Sequence, residues 1–222
     1  MRIVTLPGVF RPRSDTWLLA QRLEEERLGP GATVLDVCTG SGALAVFAAS
    51  RGAVASAVDV SRRAILTARL NARLNGVRVR ARRGDLFSPY ASERFDAIVS
   101  NPPYLPGGDE DGLPHRGAAR AWEGGPDGRV FLDRISREAV AHLRPGGVLL
   151  IVQSSVSGEA TTLERLRDGG LEPAVADRRS GPLGPLLSAR AFELERQGRL
   201  EPGAREEELL VIRAQVPSRG GH

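Results

Sequence analysis

The chain is 222 residues long, 41% hydrophobic and 26% charged, with a formal net charge of +4. These values predict one folded domain over residues 1–217 and exclude a chain that is disordered throughout. Cys38 is the only cysteine, which excludes an internal disulfide and a cysteine-rich zinc site. No stretch is apolar for long enough to cross a bilayer, and the first residues lack the apolar core of a signal peptide. We therefore expect a cytoplasmic location and no membrane partner.

The basic residues are all arginine. The sequence contains 31 of them and no lysine, and its pI is about 10.3. The arginines are interleaved with acidic residues, and no block of five or six like charges marks a basic arm for nucleic acid. The high pI is therefore weak information about partners.

Successive βαβ units are predicted between residues 33 and 152, because apolar, β-branched runs alternate with helical patterns. Strands are predicted at 33–37, 55–58, 77–81, 95–99 and 148–152, and helices at 43–49 and over a face formed by Phe131, Ile135, Ala139 and Leu143. Ser61 is predicted to cap a third helix, which has Leu66, Leu70 and Leu74 on one face and stops at Asn75. The pattern is typical of an α/β fold with a parallel sheet.

The C-terminal part has a weaker pattern. Leu163 and Leu166 indicate one more helix, and residues 209–212 indicate a last strand. Residues 180–205 are rich in Gly, Pro and Arg and predict an irregular insertion with a short helix near 189–197. The stretch 105–128 is a second long loop, of a length that ordered domains rarely contain without a functional reason. Residues 218–222 are expected to be disordered.

Three carboxylates lie at the ends of consecutive predicted strands, at the edge where open α/β sheets bind ligands: Asp36, which is inside the end of its strand, Asp59 and Asp85. The Gly40-x-Gly42 spacing also fits a dinucleotide fingerprint, but a pyrophosphate needs an approach that is free of anions. A carboxylate at Asp36, four residues before Gly40, suits the ammonium group of S-adenosylmethionine (SAM) better. Asp59 is then expected to accept from the ribose diol and Asp85 from the adenine amino group. Solvated acids at plain strand-to-helix junctions are the structural alternative.

Cys38 lies in the same predicted cofactor loop. A small packed thiol is a better interpretation of it than a nucleophile, since no histidine is near it in sequence to activate it. His115, His142 and His222 do not have the spacing of metal ligands, so the sequence predicts no metal site.

The segment Asn101-Pro102-Pro103-Tyr104 is the most specific motif, because an asparagine and two prolines directly after a buried strand do not favour folding. Such a segment suits methyl transfer to a planar nitrogen, whose lone pair is delocalised and therefore weakly nucleophilic. The Asn101 side-chain oxygen and the Pro102 carbonyl are expected to accept from the substrate NH2 group and to hold it in line with the methyl. Tyr104 is expected to stack on the acceptor group. A proline-stiffened turn with a packed tyrosine is the alternative.

These motifs together resemble those of class I SAM-dependent methyltransferases, and specifically the HemK/PrmC-like group that methylates glutamine in translation release factors. The similar segments are VLDVCTGSG at 34–42, AVDVS at 57–61, GDLF at 84–87, FDAIVSNPPYLP at 95–106, AWEGGPDG at 121–128 and GVFRPRSDTWLL at 8–19. The last is similar to the entry segment of the short branch, in which no separate N-terminal helical domain is present and an Asp-Thr pair lies against the cofactor.

The resemblance implies a Rossmann-like domain with a mostly parallel seven-stranded sheet, helices on both faces and an antiparallel last strand pair. It implies SAM as the cofactor, with residues 1–30 as a segment that covers it. The implied cofactor site contains Asp15, Thr16, Asp36, Cys38, Gly40, Gly42, Asp59, Asp85, Leu86 and Asn101. Asn101, Pro102 and Tyr104 are implied to hold the amide that is methylated.

The acceptor is expected to be a protein glutamine, with a release factor as the partner. Adenine-N6 methylation of RNA or DNA is the main alternative, because the same asparagine-proline pair serves adenine equally well. A small-molecule methyltransferase and a non-catalytic SAM- or dinucleotide-binding protein are further alternatives. Protein is favoured because the loop expected to face the substrate has a net acidic charge, which repels phosphates. Its charged residues are Asp109, Glu110, Asp111, Glu123 and Asp127 against Arg116 and Arg120.

Overall fold

The computed structural model describes residues 1–107 and 122–217. The helices span Ser14–Glu25 (α1), Ala43–Ser50 (α2), Arg62–Leu74 (α3), Val130–Glu138 (α4), Glu159–Asp168 (α5), Pro185–Ser188 (α6) and Ala191–Arg196 (α7). The strands span Thr33–Val37 (β1), Val54–Asp59 (β2), Val79–Arg83 (β3), Phe95–Ser100 (β4), Leu143–Ser154 (β5), Glu172–Pro182 (β6) and Glu206–Gln215 (β7). Across these two described ranges, no helix is long and apolar enough to span a membrane.

The seven strands form one sheet in the order β3-β2-β1-β4-β5-β7-β6. β1 pairs in parallel with β2 and β4, and β7 runs antiparallel to both β5 and β6. The predicted fold class is therefore confirmed. The strand order reverses between β1 and β4, and open α/β sheets bind ligands at such a switch point. The cofactor loop and the Asn101 segment both begin there.

Helix α3 differs from its expected packing. Leu66, Leu70 and Leu74 do share one face, but that face is exposed. The buried face consists mostly of small side chains, together with Ile65 and Asn71, and its Ala68 lies below Gly42 at the start of α2. Small residues allow α2 and α3 to approach closely, and leucines on that face would not fit.

Three further elements differ from the sequence pattern. The stretch from Leu143 to Gly147, expected to end a helix, already belongs to β5, which begins at Leu143. Strand β3 begins at Val79, two residues later than predicted. Strand β6 was not predicted from its own residues, because it is an edge strand whose side chains are mostly polar, small or proline and mostly not buried.

The insertion at residues 180–205 is ordered around a small apolar cluster of its own. Leu187 of α6, Leu194 of α7, Leu200 and Val156 form this cluster. Arg190 joins the insertion to the loop after Asn101: it donates to the Pro106 carbonyl at 2.5 Å and to Glu123 Oε1 at 2.6 Å. Residues 218–222, expected to be disordered, lie outside the described residues.

Candidate active site

Two cavities lie at the carboxyl edge of the sheet and share Val9, Phe10 and Asn101. The first has a volume of about 390 Å³ and is lined by the loops after β1, β2 and β3. The second has a volume of about 760 Å³ and is lined by the start of α1, the segment after β4 and residues 179–187. We call them the cofactor cavity and the acceptor cavity. Asn101 stands where they meet.

Asp36, at the end of β1, is 1% exposed and lines the cofactor cavity. Its Oδ2 accepts from Thr39 Oγ1 at 2.5 Å and from the Ala45 amide at 3.1 Å, which fixes the loop and the first turn of α2. Its Oδ1 is buried without a partner among the described residues. Burial raises the pKa of Asp36 to about 7, and Asp59 adds to this effect. A buried carboxylate with an unpartnered oxygen favours a cationic ligand over a diphosphate.

Asp59 and Gly40 form the adjacent wall of the cofactor cavity. Asp59 accepts from the Gly40 amide at 3.0 Å and from the Ser61 amide at 2.8 Å, so its orientation is set by the backbone. Gly42 does not line this cavity. It has a φ of +80°, and a Cβ there would lie 2.6 Å from the Ala68 Cβ, so it serves helix packing rather than the cofactor contact that the resemblance implied.

The remaining implied cofactor residues line the same cavity in different ways. Asp85 accepts from Arg134 through both oxygens, at 3.2 and 2.7 Å, and its side chain is 52% exposed, so each oxygen keeps a lone pair for a ligand. Leu86 is buried and has a φ of +42°. Cys38 has a φ of +60°, and burial, with Asp59 next in effect, raises its thiol pKa. A thiol of raised pKa is a poor nucleophile, in agreement with a packing role.

A chain of hydrogen bonds joins α1 to the asparagine-proline segment. Tyr104 Oη donates to Asp15 Oδ2 at 3.1 Å, Thr16 Oγ1 donates to Asp15 Oδ1 at 3.2 Å, and Asn101 Nδ2 donates to Thr16 Oγ1 at 3.1 Å. A carboxylate only accepts, so the Thr16 hydroxyl proton points at Asp15 and leaves a lone pair for the Asn101 amino group. The Asn101 oxygen is therefore the part of its amide that is left to accept from a ligand.

Asp15 lines the acceptor cavity and not the cofactor cavity, which differs from the role that the resemblance implied. Thr16 lines the cofactor cavity as expected, and Pro102 and Tyr104 line the acceptor cavity. Burial and Asp15 raise the pKa of the Tyr104 hydroxyl well above its usual value, so it stays protonated and donates.

An acidic rim was expected around the substrate, and the structure describes two of its acidic residues. These two residues do not form such a rim. Glu123 is buried and paired with Arg190, and Asp127 accepts from the Arg129 amide at 3.0 Å. The other members of that prediction lie outside the described residues: Asp109, Glu110, Asp111, Arg116 and Arg120. His115 and His222 also lie outside them, and His142 stacks on Phe87 with ring centres 4.6 Å apart.

Sequence reasoning missed much of the acceptor cavity. Phe10 and Trp122 were inside segments quoted for their similarity but were given no role, and residues 179–187 were read only as the start of an irregular insertion. The long loop and the insertion were the available signals, since long irregular segments in compact domains are often functional.

Residues 1–116 match the methyltransferase small domain family. The chain belongs to this family. A chain of Methanocaldococcus jannaschii named as a protein N5-glutamine methyltransferase is 33% identical over 189 residues, which are 85% of this chain and 93% of that one. The present chain is also 39% identical, over 155 residues, to the release factor glutamine methyltransferase of Geobacter sulfurreducens. This match covers 67% of the present chain and 54% of that relative.

The fold has close counterparts among solved structures. A chain of the E. cuniculi Mtq2-Trm112 complex, responsible for methylation of the eRF1 translation termination factor, superposes with a TM-score of 0.65 at 22% identity. The match covers 95% of this methyltransferase and 99% of that chain. The family match and the named relatives together identify a SAM-dependent enzyme of the HemK/PrmC-like group.

Proposed function

We propose that this methyltransferase transfers the methyl group of SAM to the side-chain amide nitrogen of a glutamine in a protein. The observation that supports this most directly is the oriented chain from Asp15 through Thr16 to Asn101, which leaves an amide oxygen free to accept at the junction of the two cavities. The names of the relatives, which specify glutamine, point to the same acceptor.

The residues of the cofactor cavity fit SAM. The unpartnered Oδ1 of Asp36 suits its ammonium group, and Asp59, whose carboxylate is held at the cavity wall by the Gly40 and Ser61 amides, suits its ribose diol. Asp85, whose oxygens each keep a lone pair beside the one that Arg134 uses, suits the adenine amino group, and Leu86 adds an apolar wall next to it.

The residues of the acceptor cavity orient the glutamine amide and do not remove a proton from it. We propose that the Asn101 oxygen and the Pro102 carbonyl accept the two N–H groups of the glutamine amide, while Tyr104 forms a wall of the cavity. Two acceptors fix the direction of the nitrogen lone pair and increase electron density on it, which is the help that a delocalised nitrogen requires.

SAM held by Asp36 and Asp59 would supply an electrophilic methyl group and leave as its demethylated sulfide, and the glutamine nitrogen would release one proton to water. The residues around the nitrogen keep it in place until that proton has left. Since the N-methylated nitrogen becomes acidic only as the new bond forms, no residue of raised basicity is needed beside it.

We propose a translation release factor as the protein acceptor, and therefore the cytoplasm as the place of the reaction. The E. cuniculi complex and the G. sulfurreducens relative are named for acceptors of this class. Adenine is the second candidate, because the Asn101–Pro102 pair presents the same two acceptors to an adenine amino group.

The test is incubation of the purified protein and radiolabelled SAM with a release factor, total RNA and DNA in separate reactions, followed by mass spectrometry of the products. Methylglutamine in the release factor, lost with Asn101→Ala, is the expected result. Methyladenine without methylglutamine would reverse the choice of acceptor. The variant Asp168→Asn, on an exposed end of α5 that lines neither cavity, is the control.

A further inference from the structure

Asp85 differs from the other two carboxylates of the cofactor cavity in what holds its side chain. Asp36 and Asp59 each accept from backbone amides, which fix their carboxylates at the edge of the sheet. Among the described residues no backbone amide donates to the Asp85 carboxylate, and both of its hydrogen bonds come from Arg134, 49 positions later in the chain. The orientation of Asp85 therefore depends on one remote side chain.

The turn after β3 fixes the backbone of Asp85 but not its carboxylate. The Gly84 amide donates to the Asp59 carbonyl at 3.1 Å, and the Ser88 amide donates to the Asp85 carbonyl at 3.0 Å. The Asp85 side chain itself is 52% exposed. An exposed carboxylate that nothing holds samples several rotamers and stays hydrated, and both effects weaken its hydrogen bond to a ligand.

Arg134 has the geometry to hold this carboxylate. Its helix, α4, is fixed in the core by Leu132 and Ile135, both of which are 0% exposed. The guanidinium donates to the two Asp85 oxygens at 3.2 and 2.7 Å, and its Nε lies 3.7 Å from Glu138 Oε1. A planar contact through two bonds fixes the plane of a carboxylate, which a single ammonium group does not do.

Arg134 reaches the cofactor cavity only through Asp85. It does not line that cavity itself, whereas Asp85, Leu86 and Phe131, three residues before Arg134 in α4, all do. Leu86 and Phe131 add apolar surface that suits the faces of a purine, and Asp85 supplies an acceptor for its amino group. Arg134 is therefore placed to act on the ligand by orienting Asp85.

We propose that Arg134 is a positioning residue for cofactor selection: it holds the Asp85 carboxylate so that this group accepts from the 6-amino group of adenine and rejects a purine with a carbonyl oxygen there. This inference rests on the assignment of Asp85 to adenine in the proposed function. A carboxylate that is fixed in place accepts from an N–H group and repels an oxygen at the same point. A carboxylate that can turn away loses both effects.

Calorimetric titration with two sulfides tests the proposal. They are S-adenosylhomocysteine, the demethylated product of SAM, and S-inosylhomocysteine, which has a carbonyl oxygen in place of the 6-amino group. The unaltered protein is expected to bind the adenosyl compound about ten- to a hundredfold more tightly. Arg134→Met keeps an unbranched side chain and is expected to reduce this preference to less than about fivefold, mainly by weakening the adenosyl compound. Arg134→Lys keeps the charge without the planar contact and is expected to give an intermediate preference.

Two further variants separate orientation of Asp85 from a general effect on α4. Arg137→Met is the matched control and is expected to keep the full preference, because Arg137 lies three residues further along α4, is exposed and lines neither cavity. Asp85→Ala removes the acceptor while Arg134 stays in place, and it is expected to abolish the preference. This variant also tests the pair if Arg134→Met does not fold.

An Arg134→Met variant that keeps the full preference, even if it binds both sulfides more weakly, would overturn the proposal and leave Arg134 a structural residue of α4. Equal binding of the two sulfides by the unaltered protein would overturn it together with the adenine role of Asp85, while methyl transfer to glutamine would stand. Failure to bind S-adenosylhomocysteine at all would overturn the proposed function as well.

Discussion

Replacing Asp15 by asparagine separates the two roles that this residue has been given. The amide keeps the size of the carboxylate but loses its charge and one acceptor. The Thr16 amide donates to Oδ1 at 2.6 Å, so the oxygen of the new asparagine will occupy that position. Its NH2 group then faces Tyr104, and the buried Tyr104 hydroxyl loses the acceptor for its proton.

The magnitude follows from that one bond. A hydrogen bond to a charged group contributes about 1.5–3 kcal/mol, and its loss leaves Tyr104, which belongs to the same segment as Asn101, less firmly oriented. If all of that energy serves orientation, kcat falls about ten- to a hundredfold. The Kd for SAM should change less than about threefold, because Asp15 does not line the cofactor cavity.

The assay is steady-state methylation at saturating SAM, together with SAM titration by calorimetry. Tyr104→Phe removes the other partner, so a double-mutant cycle should show strong coupling between the two sites. A large loss of SAM affinity with unchanged kcat would refute the reasoning and return Asp15 to the cofactor site, as the resemblance implied.

Three further changes have defined outcomes. Asn101→Ala should lower turnover by about two to three orders of magnitude and leave SAM affinity within about threefold; normal turnover would remove its catalytic role. Gly42→Ala should lower the free energy of unfolding by about 2–4 kcal/mol in urea titrations, because a positive φ and a clash with Ala68 combine, and Ala68→Gly should recover part of the loss. The pKa of Asp36, raised to about 7, stabilises the protonated folded state, so this stability is lost as pH rises through 7. The cofactor-free protein should lose about 1.4 kcal/mol from this group between pH 6 and 8, while SAM affinity rises; Asp36→Asn should abolish both trends, and an unchanged pH profile would contradict this account.

A deletion of residues 1–18 is not a clean test of whether the N-terminal segment binds the cofactor. Leu18 and Leu19 belong to the main core, and α1 packs against α2 and β5. Such a truncation is expected to lower the melting temperature as well as SAM affinity, whereas Phe10→Ala changes the shared wall of both cavities without cutting α1.

The sequence by itself determined the central part of the fold and the chemistry of its edge. Strands β1, β2 and β4 are short, apolar runs with Asp36, Asp59 and Asn101 at or next to their ends, and both the period and these residues are local properties. The parallel sheet then brings those ends together, because strands that run in one direction finish at one edge. Strand β6 has no comparable pattern, since pairing with β7 rather than burial of its own side chains makes it a strand.

Only the tertiary structure decided which cavity each polar residue serves. Thr16 and Asn101 are 85 positions apart, and Asp15 and Tyr104 are 89 apart, so no local pattern reports that they bond. The same holds for residues 179–187, which reach the acceptor cavity from the far end of the chain. Side-chain direction and long-range packing set these contacts, because a hydrogen bond depends on distances between atoms and not on separation along the sequence.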